Sequence, residues 1–228
     1  SQIDENPANG GRHPLPSATA FAELLGRLGI SPDSHVVVYD DKQGAMSAAR
    51  FWWMLKALGH EKIQVLDGGL QAAQKQGFPL ERTFPPSHAV PAYPTSHWQS
   101  PISSFHEVKT VYKTKEKIII DVRESERFRG IVEPIDKIAG HIPGAVNLPY
   151  LDNLDEKGLF LPQDKLKEKY LKTFQGQASE NIIVHCGSGV TACHSLLAIC
   201  IAGLDMANLY VGSWSEWSRN NLPISTEK

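Results

Sequence analysis

One supersecondary unit occurs twice in this chain, and that repeat limits its fold more than any other feature. The stretch Val36–Gly59, VVVYDDKQGAMSAARFWWMLKALG, matches Ile182–Gly203, IIVHCGSGVTACHSLLAICIAG. Each is a β-branched run, a glycine-bearing turn and an apolar helical segment stopped by glycine. The match continues at one constant offset, with Gly68 answering Gly212 and Pro79 answering Pro223. Strands near 182–186 and 208–212 alternate with helices near 191–202 and 213–220. That order gives an α/β domain with a mainly parallel sheet flanked by helices, and the repeat gives two of them. The stretch 84–101, FPPSHAVPAYPTSHWQSP, is dense in proline and serine and has no helical period, so it reads as a connection. The expected division is a first domain over 1–84, a linker over 85–103 and a second domain over 104–228. The second copy carries IIIDVRE and GHIPGAV ahead of its glycine turn, and the offset puts their counterpart before residue 1. The first domain is therefore expected to lack its N-terminal part.

Bulk properties remove several classes of function. With 41% apolar residues in 228, the chain can build two ordinary cores. Its net charge of −2, with both signs interspersed, leaves no footprint for nucleic acid. The longest apolar run, Leu196–Leu204, is too short to cross a bilayer and reads as a buried helix. Three cysteines are too few for a disulfide scaffold and point to a reducing, cytoplasmic setting.

Chemistry concentrates in HCGSGVT, residues 185–191. Cys186 ends a strand and precedes a helix, where successive N–H groups converge and the helix end adds partial positive charge. Such a place favours a thiolate. Gly187 and Gly189 permit positive φ and leave the N–H groups uncovered. Cys193 and Cys200 lie seven apart on one helical face and read as small core residues. In the first copy Asp40 stands where the second has Cys186, and a carboxylate there can be satisfied by the N–H groups but offers no nucleophilic sulfur. Elsewhere, Ser104-x-x-Glu107 is a capping box for a helix ending near Tyr112, and 162–174 is a surface helix. Asp121 and Arg123 read as a fold-holding pair, His141 as structural, His185 as a strand end and His13 as a surface-loop residue. Phosphoryl transfer through such a loop needs an arginine six residues beyond the cysteine, and Ala192 stands there. There is no Gly-Lys-Ser/Thr phosphate loop either.

CGSGVTAC after an apolar strand, HIPGA, GSWSEW and the tandem repeat together resemble the two-domain rhodanese-type sulfurtransferases over almost the whole chain. The loop is more similar to the 3-mercaptopyruvate form, CGSGVT, than to the thiosulfate form, CRKGVT. The resemblance implies two rhodanese-like domains, the first non-catalytic. It implies that Cys186 takes up sulfane sulfur as a persulfide and that Ser188 shuttles a proton beside it. Arg127, Gly187, Gly189, Val190 and Thr191 would bind the donor, 3-mercaptopyruvate or thiosulfate. The acceptor would be cyanide or a thiol, thioredoxin-like or of low molecular weight. No metal, organic cofactor, nucleic acid or membrane is implied. The 3-mercaptopyruvate pattern has a second arginine nine residues after the first, but Asp136 stands at that spacing, with Lys137 beside it as a substitute charge. The donor therefore stays open. The family's serine-assisting histidine and aspartate are expected ahead of residue 1. Two other readings stand beside this one, a non-catalytic sulfur-relay or protein-binding module and a cysteine-dependent phosphatase or arsenate reductase.

Overall fold

The computed structural model describes residues 3, 5–83, 86, 88–95 and 97–227. Phe84, Pro85, Ser87 and Ser96 of the expected connection lie outside the described residues. The chain forms two compact units, one of Pro16–Ser100 and the other of the residues up to Leu15 together with Pro101 onward. These limits differ from the expected 1–84, 85–103 and 104–228 at two places. The first residues belong to the second unit, and most of the supposed linker belongs to the first.

The Pro16–Ser100 unit begins with α1 (Ala18–Arg27), capped by the Ser17 hydroxyl, which accepts from the Ala20 N–H at 3.1 Å. Then follow β1 (Val36–Val38), α2 (Ser47–Ala57), β2 (Ile63–Val65) and α3 (Gly69–Lys75). The two strands pair in parallel, Val36 with Ile63 and Val38 with Val65, and α2 makes the crossover that a parallel pair requires. Phe21, Leu25, Trp52, Trp53 and Leu55 are buried beneath them. Residues 88–95 and 97–100 are bound to this core because their aromatics have large apolar areas to bury. Trp98 packs against Phe21 and Trp53, with ring centroids 5.8 and 6.3 Å apart. The buried Tyr93 shares a 3.0 Å hydrogen bond with His60 Nδ1, and its N–H donates to the Ala22 carbonyl.

At the turn after β1, Asp40 accepts four backbone N–H bonds. Oδ1 takes those of Lys42 (2.9 Å) and Gly44 (2.8 Å), and Oδ2 those of Met46 (3.0 Å) and Ala48 (3.1 Å). Partial burial opposes its charge, yet the four bonds together hold its carboxyl below the usual carboxylate range. A depressed folded-state value stabilises the fold above the unfolded value near 3.9 and stops doing so as pH falls through the folded value. Asp40→Ala should therefore destabilise the protein by about 1–2 kcal/mol at pH 7, partial exposure included. Thermal midpoints of the two proteins should converge as the pH is lowered through the folded-state value of Asp40.

The other unit carries α4 (Phe105–Thr114), β3 (Ile118–Asp121), α5 (Ser125–Phe128), β4 (Val146–Asn147), α6 (Gln163–Phe174), β5 (Ile182–His185), α7 (Thr191–Ile201), β6 (Asn208–Leu209) and α8 (Ser213–Trp217). Its parallel sheet has the order β4-β3-β5-β6. Side chains alternate across it. Ile119 and Ile183 pair in register and face Val108 and Val111 of α4, with Trp214 and Trp217 of α8 in the same cluster. α7 lies against β5 and α6, and α6 buries Leu166, Tyr170 and Phe174 while its charged residues other than the half-buried Lys169 are exposed. The Ser104 hydroxyl accepts from the Glu107 N–H at 3.1 Å, and α4 runs two residues past the expected Tyr112. β6 stops at Leu209 rather than 212 because the chain turns at Gly212 and Ser213 (φ +54°) into the short α8, which ends at Trp217 rather than 220.

Candidate active site

β5 delivers Cys186 to the C-terminal edge of the parallel sheet, where α/β proteins place their ligands. The residue is 2% exposed. Its N–H donates to Ser213 Oγ at 3.2 Å, and its carbonyl accepts from the Trp214 N–H at 3.0 Å. The Gly187 carbonyl accepts from the Ser215 N–H at 2.9 Å, so α8 grips the loop by its backbone. Among the described residues, the N–H groups of Gly187, Ser188 and Val190 have no hydrogen-bond acceptor. Gly189 takes the left-handed conformation (φ +73°) that the turn into α7 requires. Gly187 does not, and its lack of a side chain serves space instead. A Cβ there would stand 3.2 Å from Arg12 Nη2, 3.5 Å from Arg127 Nη2 and 3.6 Å from Asp136 Oδ2. Val190 and Thr191 are half-buried at the start of α7.

Arg127, on the four-residue α5, is brought to this loop together with a set of acids. Nη2 donates to Glu133 Oε1 at 2.7 Å, and Nε reaches both Glu133 oxygens at 3.1 and 3.2 Å. Burial works against its charge, but Glu133 foremost, then Glu124 and Asp136, raise its pKa all the same. Glu133 is correspondingly held below its usual range by Arg127 and the N–H groups of Asp136 and Ile135, against the opposing effect of burial. Tyr150 also borders the loop. Its pKa is raised by burial first and then by the charges of Glu124 and Cys186.

Ser188, buried on the loop, shares a 2.9 Å hydrogen bond with His13 Nδ1. This corrects the expectation of a surface-loop histidine. The segment carrying it is stapled to α8 and the turn beyond. The Asn220 side chain donates to the Ala8 carbonyl (2.9 Å), the Gly10 N–H to Glu216 Oε1 (2.7 Å) and the Arg12 N–H to Ser215 Oγ (3.0 Å). Gly11 (φ +81°) lies so close to Gly212 that a Cβ would meet its Cα at 2.8 Å. Buried Tyr210 donates to Glu216 Oε2 at 2.8 Å and so holds that staple in place. The sequence did carry a signal here, a Gly-Gly pair ahead of Arg12, His13 and two prolines, but its partners lie some two hundred residues away.

Asp136 does not leave the arginine site vacant. Its buried carboxylate bonds Arg12 through Oδ1, accepts from Arg219 Nη1 at 2.9 Å on the same oxygen, and faces Arg127 Nη2 at 3.5 Å. Lys137, the expected substitute charge, is exposed. Arg12 takes the place beside Gly187 instead.

The remaining candidates are structural in geometry. Arg123 binds Asp121 through Nε and Nη2, donates to the Gly140 carbonyl at 2.6 Å and lies 4.6 Å over the Trp214 ring. Burial opposes the Asp121 charge, but Arg123 and His185 hold its pKa low. Burial pushes His185 down, so at neutral pH its 3.7 Å approach to Asp121 is not an ion pair. His141 stacks on Phe128 at 3.7 Å between ring centroids and hydrogen-bonds the Phe128 carbonyl. The buried Cys193 thiol donates to the Gly189 carbonyl at 3.3 Å, and Cys200 is half-buried. Ala192, fully buried, occupies the position where a phosphatase loop needs its arginine. No described helix is long and apolar enough to cross a membrane.

The chain matches the rhodanese-like domain family over residues 3–76 and 104–220. It is 42% identical over 221 residues to the "Probable 3-mercaptopyruvate sulfurtransferase" of Pseudomonas aeruginosa, covering 95% of this chain and 76% of that protein. It is 38% identical to a thiosulfate sulfurtransferase of Gallus gallus, covering 89% and 70%. Among solved structures, the 3-mercaptopyruvate sulfurtransferase from Leishmania major superposes with a TM-score of 0.81 at 33% identity. That match takes in 95% of this chain, which spans 60% of the Leishmania chain. Two α/β units with parallel sheets, a glycine-bearing cysteine loop at a strand end and these matches have one reading in common: the chain belongs to the rhodanese-like family, among the sulfurtransferases of the 3-mercaptopyruvate and thiosulfate type.

Proposed function

We propose that this chain moves sulfane sulfur from a small anionic donor, 3-mercaptopyruvate or thiosulfate, to a thiol or cyanide through a persulfide on Cys186. The observation that carries the reading is the arrangement around one loop. A buried cysteine precedes unengaged N–H groups, two guanidinium groups stand beside Gly187, and a Ser188–His13 pair lies at hydrogen-bonding distance. The Cys186 thiolate attacks the donor's terminal sulfur. With thiosulfate the S–S bond breaks and its electron pair leaves on sulfite. With 3-mercaptopyruvate the C–S bond breaks, the pair passes to carbon as the pyruvate enolate, and the proton from the donor thiol ends on that carbon. Ser188 and His13 provide the hydroxyl–imidazole pair for this proton transfer. The persulfide anion is held by the loop N–H groups and the end of α7 until an acceptor thiolate or cyanide attacks its outer sulfur and releases the Cys186 thiolate. Gly187, Gly189, Val190 and Thr191 shape that nest, and Arg127 and Arg12 hold the donor's anionic group.

Intact-mass measurement tests this directly. Incubation with either donor should add one sulfur to the chain, and a small thiol such as dithiothreitol should remove it. No gain with either donor would overturn the reading, and Cys-directed mapping should place the added sulfur on Cys186.

A further inference from the structure

The donor site holds more positive groups than a lone arginine supplies, and one carboxylate sits among them. Arg12, Arg127 and Arg219 all bond or face Asp136, whose side chain is wholly buried. Charges cancel in a definite pattern. Arg123 is matched by Asp121, and Arg127 is matched by Glu133, which it binds with two nitrogens. Arg12 and Arg219 share Asp136. Glu124 adds a weaker, half-exposed contact to Arg127 at 3.3 Å. Glu133 also accepts from Arg123 Nη1 at 3.1 Å, and a further carboxylate, Glu216, is buried on α8. Of the guanidinium groups, Arg12 Nη2 stands nearest to the space a Cβ of Gly187 would fill, and Asp136 Oδ2 lies 3.6 Å from the same point.

We infer that Arg12 is a donor-binding residue and that Asp136 is a specificity determinant, a buried carboxylate beside the loop that opposes a second negative charge on the donor. The site then takes a monoanionic α-keto acid thiol in preference to dianionic thiosulfate. This deepens the proposed sulfur transfer and rests on it. The reason is electrostatic. In a buried site a second donor charge must be matched by a second cation, and Asp136 has already neutralised the one that could serve. Arg12 has Nη1 engaged with Asp136 and Nη2 directed at the loop, so it presents one side of its guanidinium to the ligand.

Steady-state kinetics with both donors, on the full chain, provides the test. The ratio of kcat/KM for 3-mercaptopyruvate over thiosulfate should exceed one in the unaltered protein. In Asp136→Asn it should fall on the order of tenfold or more, through a lower KM for thiosulfate. Arg12→Gln should raise KM for both donors on the order of tenfold, with kcat at saturation altered only a few-fold. A second measurement needs no turnover: pyruvate and sulfate, as inert mono- and dianions, should slow alkylation of Cys186 by iodoacetamide. Asp136→Asn should strengthen protection by sulfate more than by pyruvate. Ratios and protection unchanged in Asp136→Asn, or KM unchanged in Arg12→Gln, would overturn the inference while sulfur loading of the unaltered chain stood. Absence of loading from either donor would instead sink the proposed function, and the protection experiment would still decide the charge rule.

Discussion

Cys186→Ser should lose sulfur loading altogether and lower turnover on the order of 10⁴-fold or more, because the alkoxide of serine cannot form a persulfide or release sulfur to an acceptor. The loss should come without loss of the fold. The residue's contacts to Ser213 and Trp214 are made by its backbone, and a hydroxyl is smaller than a thiol. A thermal midpoint close to that of the unaltered protein, measured beside intact mass after donor treatment, separates the two effects. A variant that still gained sulfur would move the chemistry to another cysteine. Cys193 would be the first suspect, since its thiol bonds the Gly189 carbonyl on the same loop.

His13→Ala should lower kcat by about 10²–10³, within the range for losing a positioned proton-transfer group. Ser188→Ala should cost a comparable factor. Two groups that act as one unit are non-additive, so the double variant should be hardly worse than either single one. Independent roles would give the product of the two losses, and that result would count against a relay. The comparison also separates the two faces of the site. Removing His13 should act on kcat, whereas removing its neighbour Arg12 should act on KM, although the two residues are adjacent in the chain.

Much of the framework could be read from local pattern. The β-branched runs before Gly187 and Asp121 gave their strands, the Ser104–Glu107 pair gave a helix start, and Gly203 gave a stop, because each is decided within a few residues. The Asp40 turn was legible for the same reason, since all four of its N–H partners lie within eight residues. What could not be read was placement that depends on distant partners. Tyr93 and Trp98 lie in a proline-rich stretch with no period, and only the pocket formed by Phe21, Trp53 and His60 makes them core. The helix Ala18–Arg27 lies outside the repeated unit, although Ser17 caps it. In the candidate site, the Cys186 loop stands out by residue type and spacing and Ser188 and Arg127 by the family resemblance, whereas the placement of Arg12 and His13 depends on Ser215, Glu216 and Asn220. Asp136 was identified as a departure from the expected arginine, but only its position among three guanidinium groups shows what replaces that arginine.

The stapling of residues 8–13 onto α8 also bears on how the protein is made. Pro16–Ser100 is continuous in sequence and can settle as soon as it has been synthesised, since domains emerge N-terminal first. The other unit is divided by it. Arg12 and His13 leave the ribosome ahead of that unit, yet Gly212, Ser215 and Glu216, which hold them, follow some two hundred residues later. This closure spans some two hundred residues and carries the loop entropy of that separation. Cys186 and His13 can thus come together only after an entire neighbouring unit has been synthesised between them. The arrangement around the Cys186 loop therefore depends on the docking of residues 8–13 onto α8.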